Sequence, residues 1–416
     1  MLGLVGCGPT TLASNGTQGH SSPSQSATAS TSGTSQGGMT TSQSAGTSYS
    51  FRTLDDPADA TFNQLLGFSN GGAIAGYFGS GAAGHPNKGY VLVRTPAGFR
   101  IHNENFPGSV QTQVTGLNDH GVTVGFWSDM NNANQTNDNF GFYDAGGSFH
   151  SVKFPTTSNA NPPVNQLLGV NDEDVAVGFY TDAAGNSHGY TYRIFGGRFN
   201  NVTVPGATSV TAAAINNRDD VAGFSATAAG TTDGFLRTRG GHVYTLAYPG
   251  ASMTQALGVN DFREVVGVYT VGSGNNAMTH GFTWTPKRGF KTVDDPQGVG
   301  ATTINGLNDQ GDLVGFYTDG AGNTDGFAAV PGGYTMLPAI IGTAMPAPST
   351  SPSSSQSPSM APTSTTAPTS STTTAPPSTA PASSTAPMPS QSTQPSYQPS
   401  PSTAPTGNSS LTPPHW

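Results

Sequence analysis

A twelve-residue pattern is written six times in this chain, and any fold must make six equivalent uses of it. The copies are GFSNGGAIAGYF from Gly67, GLNDHGVTVGFW from Gly116, GVNDEDVAVGFY from Gly169, AINNRDDVAGFS from Ala214, GVNDFREVVGVY from Gly258 and GLNDQGDLVGFY from Gly306. The first residue and a second glycine stand nine apart in every copy, as in Gly116/Gly125 and Gly258/Gly267. A glycine–aromatic pair follows each copy: Gly89-Tyr90, Gly141-Phe142, Gly189-Tyr190, Gly234-Phe235, Gly281-Phe282 and Gly326-Phe327. Between copies lie runs that close on prolines 57, 107, 155, 205, 249 and 296, at intervals of 50, 48, 50, 44 and 47 residues.

Each unit reads as four short strands. One leads into the Asn-Asp turn, one is the Val-Val-Gly-x-Tyr run, one begins at the glycine–aromatic pair and one ends in proline. Strand positions are β-branched or aromatic, and the breaks are Asn-Asp, Gly-Asn, Gly-Gly and Pro-Gly. No segment keeps a helical period over two turns. Six four-stranded units of this length predict an all-β, six-bladed β-propeller of four-stranded repeats flanked by disordered arms. Two tandem β-trefoils of three units each are the alternative. A ring would be sealed if residues 51–56 supplied the fourth strand of the last blade, and a run at Tyr334, Leu337 and Pro338 competes for that edge.

The chain ends are compositionally distinct. All 14 basic and 23 acidic residues lie between Arg52 and Asp325. Residues 12–50 are Ser, Thr, Gly and Gln, and residues 344–416 are Pro, Ser, Thr and Ala, with too little apolar surface to offset chain entropy. The expected organisation is a residual signal and lipobox at 1–7, a disordered linker at 8–50, the propeller at 51–340 and a disordered tail at 341–416. The net charge of −9 and the lack of any basic run argue against nucleic acid and anionic lipid as partners. No run of 18 apolar residues is present.

Leu4-Val5-Gly6-Cys7-Gly8 resembles a bacterial lipobox, which implies lipidation at Cys7, the one cysteine in the chain. Six residues precede it, without a basic n-region, as a trimmed start would leave. The repeats resemble the bacterial extracellular HAF-type repeat over residues 51–333, through Gly-x-Asn-x-x-Gly-x-Val-Val-Gly-x-Tyr, His-Gly-Phe and Phe-x-x-Val-Asp-x-Pro-Gly. That resemblance implies an exported or surface protein and no particular reaction. Together these features lead to an expectation of a bacterial cell-surface, lipid-anchored monomer that touches the membrane only through its anchor.

Candidate chemistry is spread one residue per unit. The Asn-Asp turns carry carboxylates, but the position that is Asp174 or Asp219 in some copies is Arg263 in another, so they read as turn chemistry and not as calcium ligands. The residue before each glycine–aromatic pair runs Lys88, Phe140, His188, Asp233, His280, Asp325. If that position faced a central channel, His188, Asp233, His280 and Asp325 could converge on one ligand. Trp127, Tyr180, Tyr269 and Tyr317 form a second equivalent set, suited to stacking on sugars or to packing between blades. No hydrolase elbow, zinc-protease helix or P-loop is present, and no cofactor or metal is expected. The leading expectation is a binding or scaffold module with a glycan or protein ligand. A glycan-active enzyme with its site at the channel mouth and a purely structural envelope protein are the alternatives.

Overall fold

The computed structural model describes residues 40–42, 48–82, 84–129, 138–155 and 163–332. All belong to one compact unit, 1–349; the second unit, 350–416, lies outside the described residues, as do Cys7, Tyr334, Leu337 and nearly all of both expected arms. The described chain is all β apart from one short 3₁₀ turn at Gly274–Asn276.

Antiparallel meanders follow one another. The first is β3 (Asn63–Phe68), β4 (Ile74–Phe78), β5 (Lys88–Thr95) and β6 (Gly98–Asn103). The second is β7 (Gln111–Leu117), β8 (Thr123–Ser128), β9 (Phe140–Ala145) and β10 (Ser148–Val152). The third is β11 (Asn165–Val170), β12 (Val175–Thr181), β13 (Ser187–Arg193) and β14 (Arg198–Asn201). Next come β15 (Ala207–Ile215), β16 (Val221–Thr227), β17 (Thr232–Arg237) and β18 (Val243–Leu246), then β19 (Met253–Val259), β20 (Val265–Val271), β21 (Met278–Thr285) and β22 (Gly289–Thr292). These two meanders are not separate sheets. One parallel pairing, Thr232 with Met253, joins them into an eight-stranded sheet.

The last sheet closes the ring. It holds β23 (Thr302–Leu307), β24 (Leu313–Thr318) and β25 (Thr324–Pro331), to which β2 (Tyr49–Thr53) adds from the other end of the chain, with β1 (Thr40–Ser42) outside it. Tyr49 pairs with Pro331 and Thr53 with Phe327. The sealing strand therefore starts two residues before the expected boundary at 51 and stops before Asp55-Asp56. The inner strands β3, β7, β11, β15, β19 and β23 pack side by side in sequence, and β23 returns to β3. All surround one central cavity, which two separate trefoils would not produce. The arrangement is that of a β-propeller.

The repeated residues explain this geometry. Each inner strand carries a register shift just before the first conserved position of the repeat, between Leu65 and Gly67, Val114 and Gly116, Leu167 and Gly169, Ala212 and Ala214, Ala256 and Gly258, and Ile304 and Gly306. Such a bulge re-aims one side chain. Here it turns Leu66, Thr115, Leu168, Ala213, Leu257 and Asn305 into the cavity lining. The adjacent glycines let neighbouring strands touch: a Cβ on Gly67 would lie 2.9 Å from the Cα of Gly116. The second glycine lies against the bulged strand's backbone, and a Cβ on Gly178 would sit 1.9 Å from the carbonyl oxygen of Gln166. The aromatic after the third glycine fills the space between sheets. Tyr90, Phe142, Tyr190, Phe235, Phe282 and Phe327 are all at most 1% exposed, each contributing roughly 1.5–3 kcal/mol by burial.

Gly178→Ala should therefore destabilise the fold by about 2 kcal/mol or more, because the backbone cannot move away without breaking its pairing. Gly320→Ala, in open space, should change stability by less than about 0.5 kcal/mol. Chemical denaturation of the two variants checks this; equal midpoints would contradict it.

Candidate functional site

The two ends of the central cavity differ in chemistry. At one end stand the Asn-Asp turns. Asn118, Asn171, Asn216, Asn260 and Asn308 each accept two backbone N–H groups on Oδ1, as Asn171 does from Glu173 (3.1 Å) and Val175 (2.9 Å). Four of them also donate from Nδ2 to the next turn's carbonyl, at 2.9–3.2 Å. A carboxylate could accept but not donate, so these positions call for asparagine. The left-handed residue of each turn is not this asparagine but the fourth position: Gly121, Asp174, Asp219, Arg263 and Gly311 all have positive φ. Its identity is free to vary because the backbone, not a ligand, sets it. Arg263 uses that freedom to reach Asp220 of the previous meander, 2.6 Å from Nε to Oδ2, where the carboxylate is fully buried.

The residue after each asparagine completes a circuit around the mouth. Gly71 donates to Asp119, Asp119 to Asp172, Asp172 to Asn217, Asn217 to Asp261, Asp261 to Asp309 and Asp309 to Asn70, each backbone N–H reaching a side-chain oxygen at 2.8–2.9 Å. Burial, with help from Asp261 and Asp119, raises the Asp309 carboxyl above the ordinary range. The cavity beneath is small, about 90 Å³, with an apolar wall interrupted by Thr115 and Asn305. Small-molecule sites run to roughly 300–1,000 Å³.

The sequence-selected residues lie at the other end, one strand or more away from the axis. None of His188, Asp233, His280, Asp325, Trp127, Tyr180, Tyr269 or Tyr317 lines the cavity. The structure does not bring His188, Asp233, His280 and Asp325 together. It pairs the two candidate sets instead. Tyr180 lies opposite His188, Tyr269 opposite His280, Tyr317 opposite Asp325, Ser225 opposite Asp233 and Trp127 opposite Phe140. The cause is strand order: both positions lie on the second and third strands, while only the first faces the axis.

A third residue joins most pairs, from the preceding meander just before its proline. Phe106 stacks on Trp127 (4.4 Å between ring centres), Phe154 on Tyr180 (4.5 Å) and Tyr248 on Tyr269 (3.5 Å). Phe140, His188 and His280 then cover the opposite sides of the same rings, at 4.9, 4.9 and 5.3 Å. Trp127, Tyr180 and Tyr269 are thus sandwiched between other rings, which holds adjacent meanders together and leaves no free face for a sugar. The outer members of the stacks remain accessible.

Carboxylates orient two of those outer members. His188 Nε2 meets Asp182 Oδ2 at 2.8 Å, and this bond above all holds the Asp182 carboxyl down at about 2. His280 Nδ1 meets Asp294 Oδ2 at 2.8 Å, while Asp294 Oδ1 accepts the Gly281 N–H at 3.1 Å. The equivalent place in the closing sheet holds Asp325 with Asp55, whose Oδ1 accepts the Gly326 N–H at 2.8 Å. There a carboxyl replaces the imidazole. Burial first, then Asp325 and Asp319, push Asp55 up to about 7. Burial and Asp325 push Asp295 up to about 6; its side chain takes the place of the stacking aromatic beside Tyr317. Asp325 is itself raised, by burial and then Asp319. The Tyr317 hydroxyl bonds Thr53 Oγ1 of the sealing strand at 2.9 Å.

Sequence reasoning missed Asp182, Asp294, Asp55 and Asp295 as partners. The available signal was the Asp-Asp pair just past two equivalent strands, which places one carboxylate beside the third glycine each time. Among the described residues no group of three or more His, Cys, Asp or Glu is placed to hold a metal ion.

No family model matches this chain, and no curated protein matches it. Solved structures do. AofleA from Arthrobotrys oligospora aligns at 12% identity over 72% of this chain and 94% of its own, with a TM-score of 0.43. The fungal lectin of Aleuria aurantia, described as a six-bladed β-propeller with a novel fucose recognition mode, aligns at 10% identity over 65% of this chain and 96% of its own (TM-score 0.40). TolB from Acinetobacter baumannii aligns at 12% identity over 70% of this chain, which spans 60% of TolB's length (TM-score 0.39). These likenesses concern the all-β propeller fold and nothing finer.

The acidic seam gives a signed pH dependence. Asp55 and Asp295 hold protons at pH values where an unfolded carboxylate, with a pKa of about 4, has lost them. Their stabilising contribution is complete below about pH 4 and is lost as pH rises through about 6 and 7. The melting temperature should therefore fall between pH 5 and pH 8. Asp295→Asn should flatten that fall, by an amount on the order of 2 kcal/mol at pH 8. Thermal melts across this range check it; a wild-type melting temperature rising with pH would contradict it.

Proposed function

We propose that this chain is a six-bladed propeller that serves as an extracellular, surface-tethered binding module, with glycans as its ligands. The six-blade reading takes the two joined meanders separately and the sealed sheet as one. The observation that carries the binding reading is a variable position on a constant frame. The glycine and aromatic that follow it repeat in every blade, yet the position itself is Lys88, Phe140, His188, Asp233, His280 or Asp325. All but Asp325 are partly exposed, and all lie on the same end of the ring. A surface that keeps its frame and changes its tips is suited to recognition.

The small apolar centre supports a ligand on this rim and not in the channel. The carboxyls with raised pKa argue less for hydrolysis than for structure, because Asp295 is 2% exposed beneath the seam. Export and tethering are supported by the resemblance to HAF-type repeats and by the lipobox-like setting of Cys7. No helix among the described residues is long and apolar enough to cross a membrane.

A glycan array probed with the full chain should give positive features that disappear in a variant changed at His188, His280 and Asp325 together. Binding unaffected by the triple variant, or an array without positives, would remove the rim-binding reading. Turnover of a bound glycan would favour the enzyme alternative. Palmitate labelling in a bacterial host, on a version with a complete leader, should be lost in Cys7→Ser.

A further inference from the structure

We propose that the His280 position is a subsite for one uncharged pyranose ring. This deepens the rim-binding reading and rests on it, giving it a residue-level address and a ligand class.

Three features meet at this position and at no other of the six. The first is an oriented acceptor. The Gly281 N–H fixes Asp294, and Asp294 fixes the imidazole through Nδ1. In the neutral ring whose Nδ1 donates to the carboxylate, Nε2 is an acceptor turned away from Asp294. The second is rigidity. The imidazole lies on Tyr269, which lies on Tyr248, and the hydroxyls of both tyrosines meet Thr292 Oγ1, at 2.8 and 2.9 Å. An acceptor held this way loses little conformational freedom on binding.

The third is an apolar flank. Met278 precedes His280 by two residues on β21 and so points to the same side. Met278 is 46% exposed, Val299 is 66% exposed, and Gly300 between Val299 and β23 packs beside the Met278 side chain. An exposed methionine on the same strand face as an oriented imidazole offers the two chemistries of a sugar ring. A pyranose hydroxyl can donate to Nε2 while the C–H face of the ring covers Met278 and Val299.

Charge narrows the class. Asp294 and Asp295 follow the end of β22, and Asp325 lies on the next meander. A uronate or sulfated sugar seated on the imidazole would meet the partly exposed Asp294 carboxylate, which disfavours anions by repulsion. The His188 position differs: Asn186 stands where Met278 does, and Asp182, at a hairpin tip, binds the other imidazole nitrogen.

Saturation-transfer NMR on the full chain, with methyl glucoside, galactoside, mannoside and fucoside set against methyl glucuronide and galactose 6-sulfate, tests the proposal. At least one neutral glycoside should bind and both anions should fail. His280→Ala should weaken binding about tenfold or more, and Asp294→Asn should weaken it while the melting temperature stays within a few degrees of wild type. His102→Ala, at an exposed histidine elsewhere, should bind like wild type. Positive array features with no neutral monosaccharide bound, binding unchanged in His280→Ala, or equal binding of the glucuronide would overturn this subsite and leave rim binding standing. An array without positives would end both.

Discussion

Six backbones meet at one axis with almost nothing between them. A Cβ on Gly67 would lie 2.9 Å from the Cα of Gly116, so neighbouring inner strands approach backbone to backbone, with Ala214 the one position that carries a side chain there. Everything further out follows. The bulge beside each axial residue shifts one side chain into the centre. It also brings a carbonyl against the second strand, where only a second glycine fits. The third glycine, one strand further out, packs against the next meander, and its aromatic neighbour fills the widening gap. A repeat of glycines read along the chain is thus a set of distances from an axis.

Much of this was legible. The four-strand units, the all-β class and the sealing of the ring by its first strand all follow from spacing and composition. The parallel bridges between meanders, Thr232 with Met253 and likewise Asn139 with Val164, Thr279 with Ala301 and Phe62 with Thr324, did not, because each joins positions about twenty residues or more apart through backbone atoms alone. Nor did the role of the turn asparagines, since one side chain makes bonds both within its turn and to the next. The placement of His188, Asp233, His280 and Asp325 away from the axis depends on strand order. A list of equivalent positions is silent on which member of a meander faces inward. The partners of the aromatic rings were hidden for another reason. Phe106, Phe154 and Tyr248 come from the preceding unit, so the stacks cross repeat boundaries. Their matching can still be seen in retrospect: where Val204 replaces the aromatic, Ser225 replaces the ring it would cover.

One frame supports different electrostatics at equivalent points. Beside the third glycine, the residue accepting its N–H is Asn105, Asp294 or Asp55, and the residue before the glycine is Lys88, His280 or Asp325 respectively. Asp294 holds the imidazole and Asp55 lies near the Asp325 carboxyl, whereas the Lys88 ammonium turns to the Val110 carbonyl instead of to Asn105. The backbone bond is the same in all three, so the fold tolerates the exchange. What changes is the neighbour: an imidazole held by a carboxylate at one point, and at another a carboxyl pushed up by burial and by a second carboxyl.

The antiparallel union of Tyr49–Thr53 with Phe327–Pro331 has a mechanical consequence. Because Tyr49 pairs with Pro331, the chain enters and leaves the ring at the same end of the same pair of strands. A load drawn between residues 49 and 331 would open that pair one hydrogen bond at a time, as a zipper opens, instead of shearing all of them at once. The seam that completes the circle is also where tension between its two ends would act first.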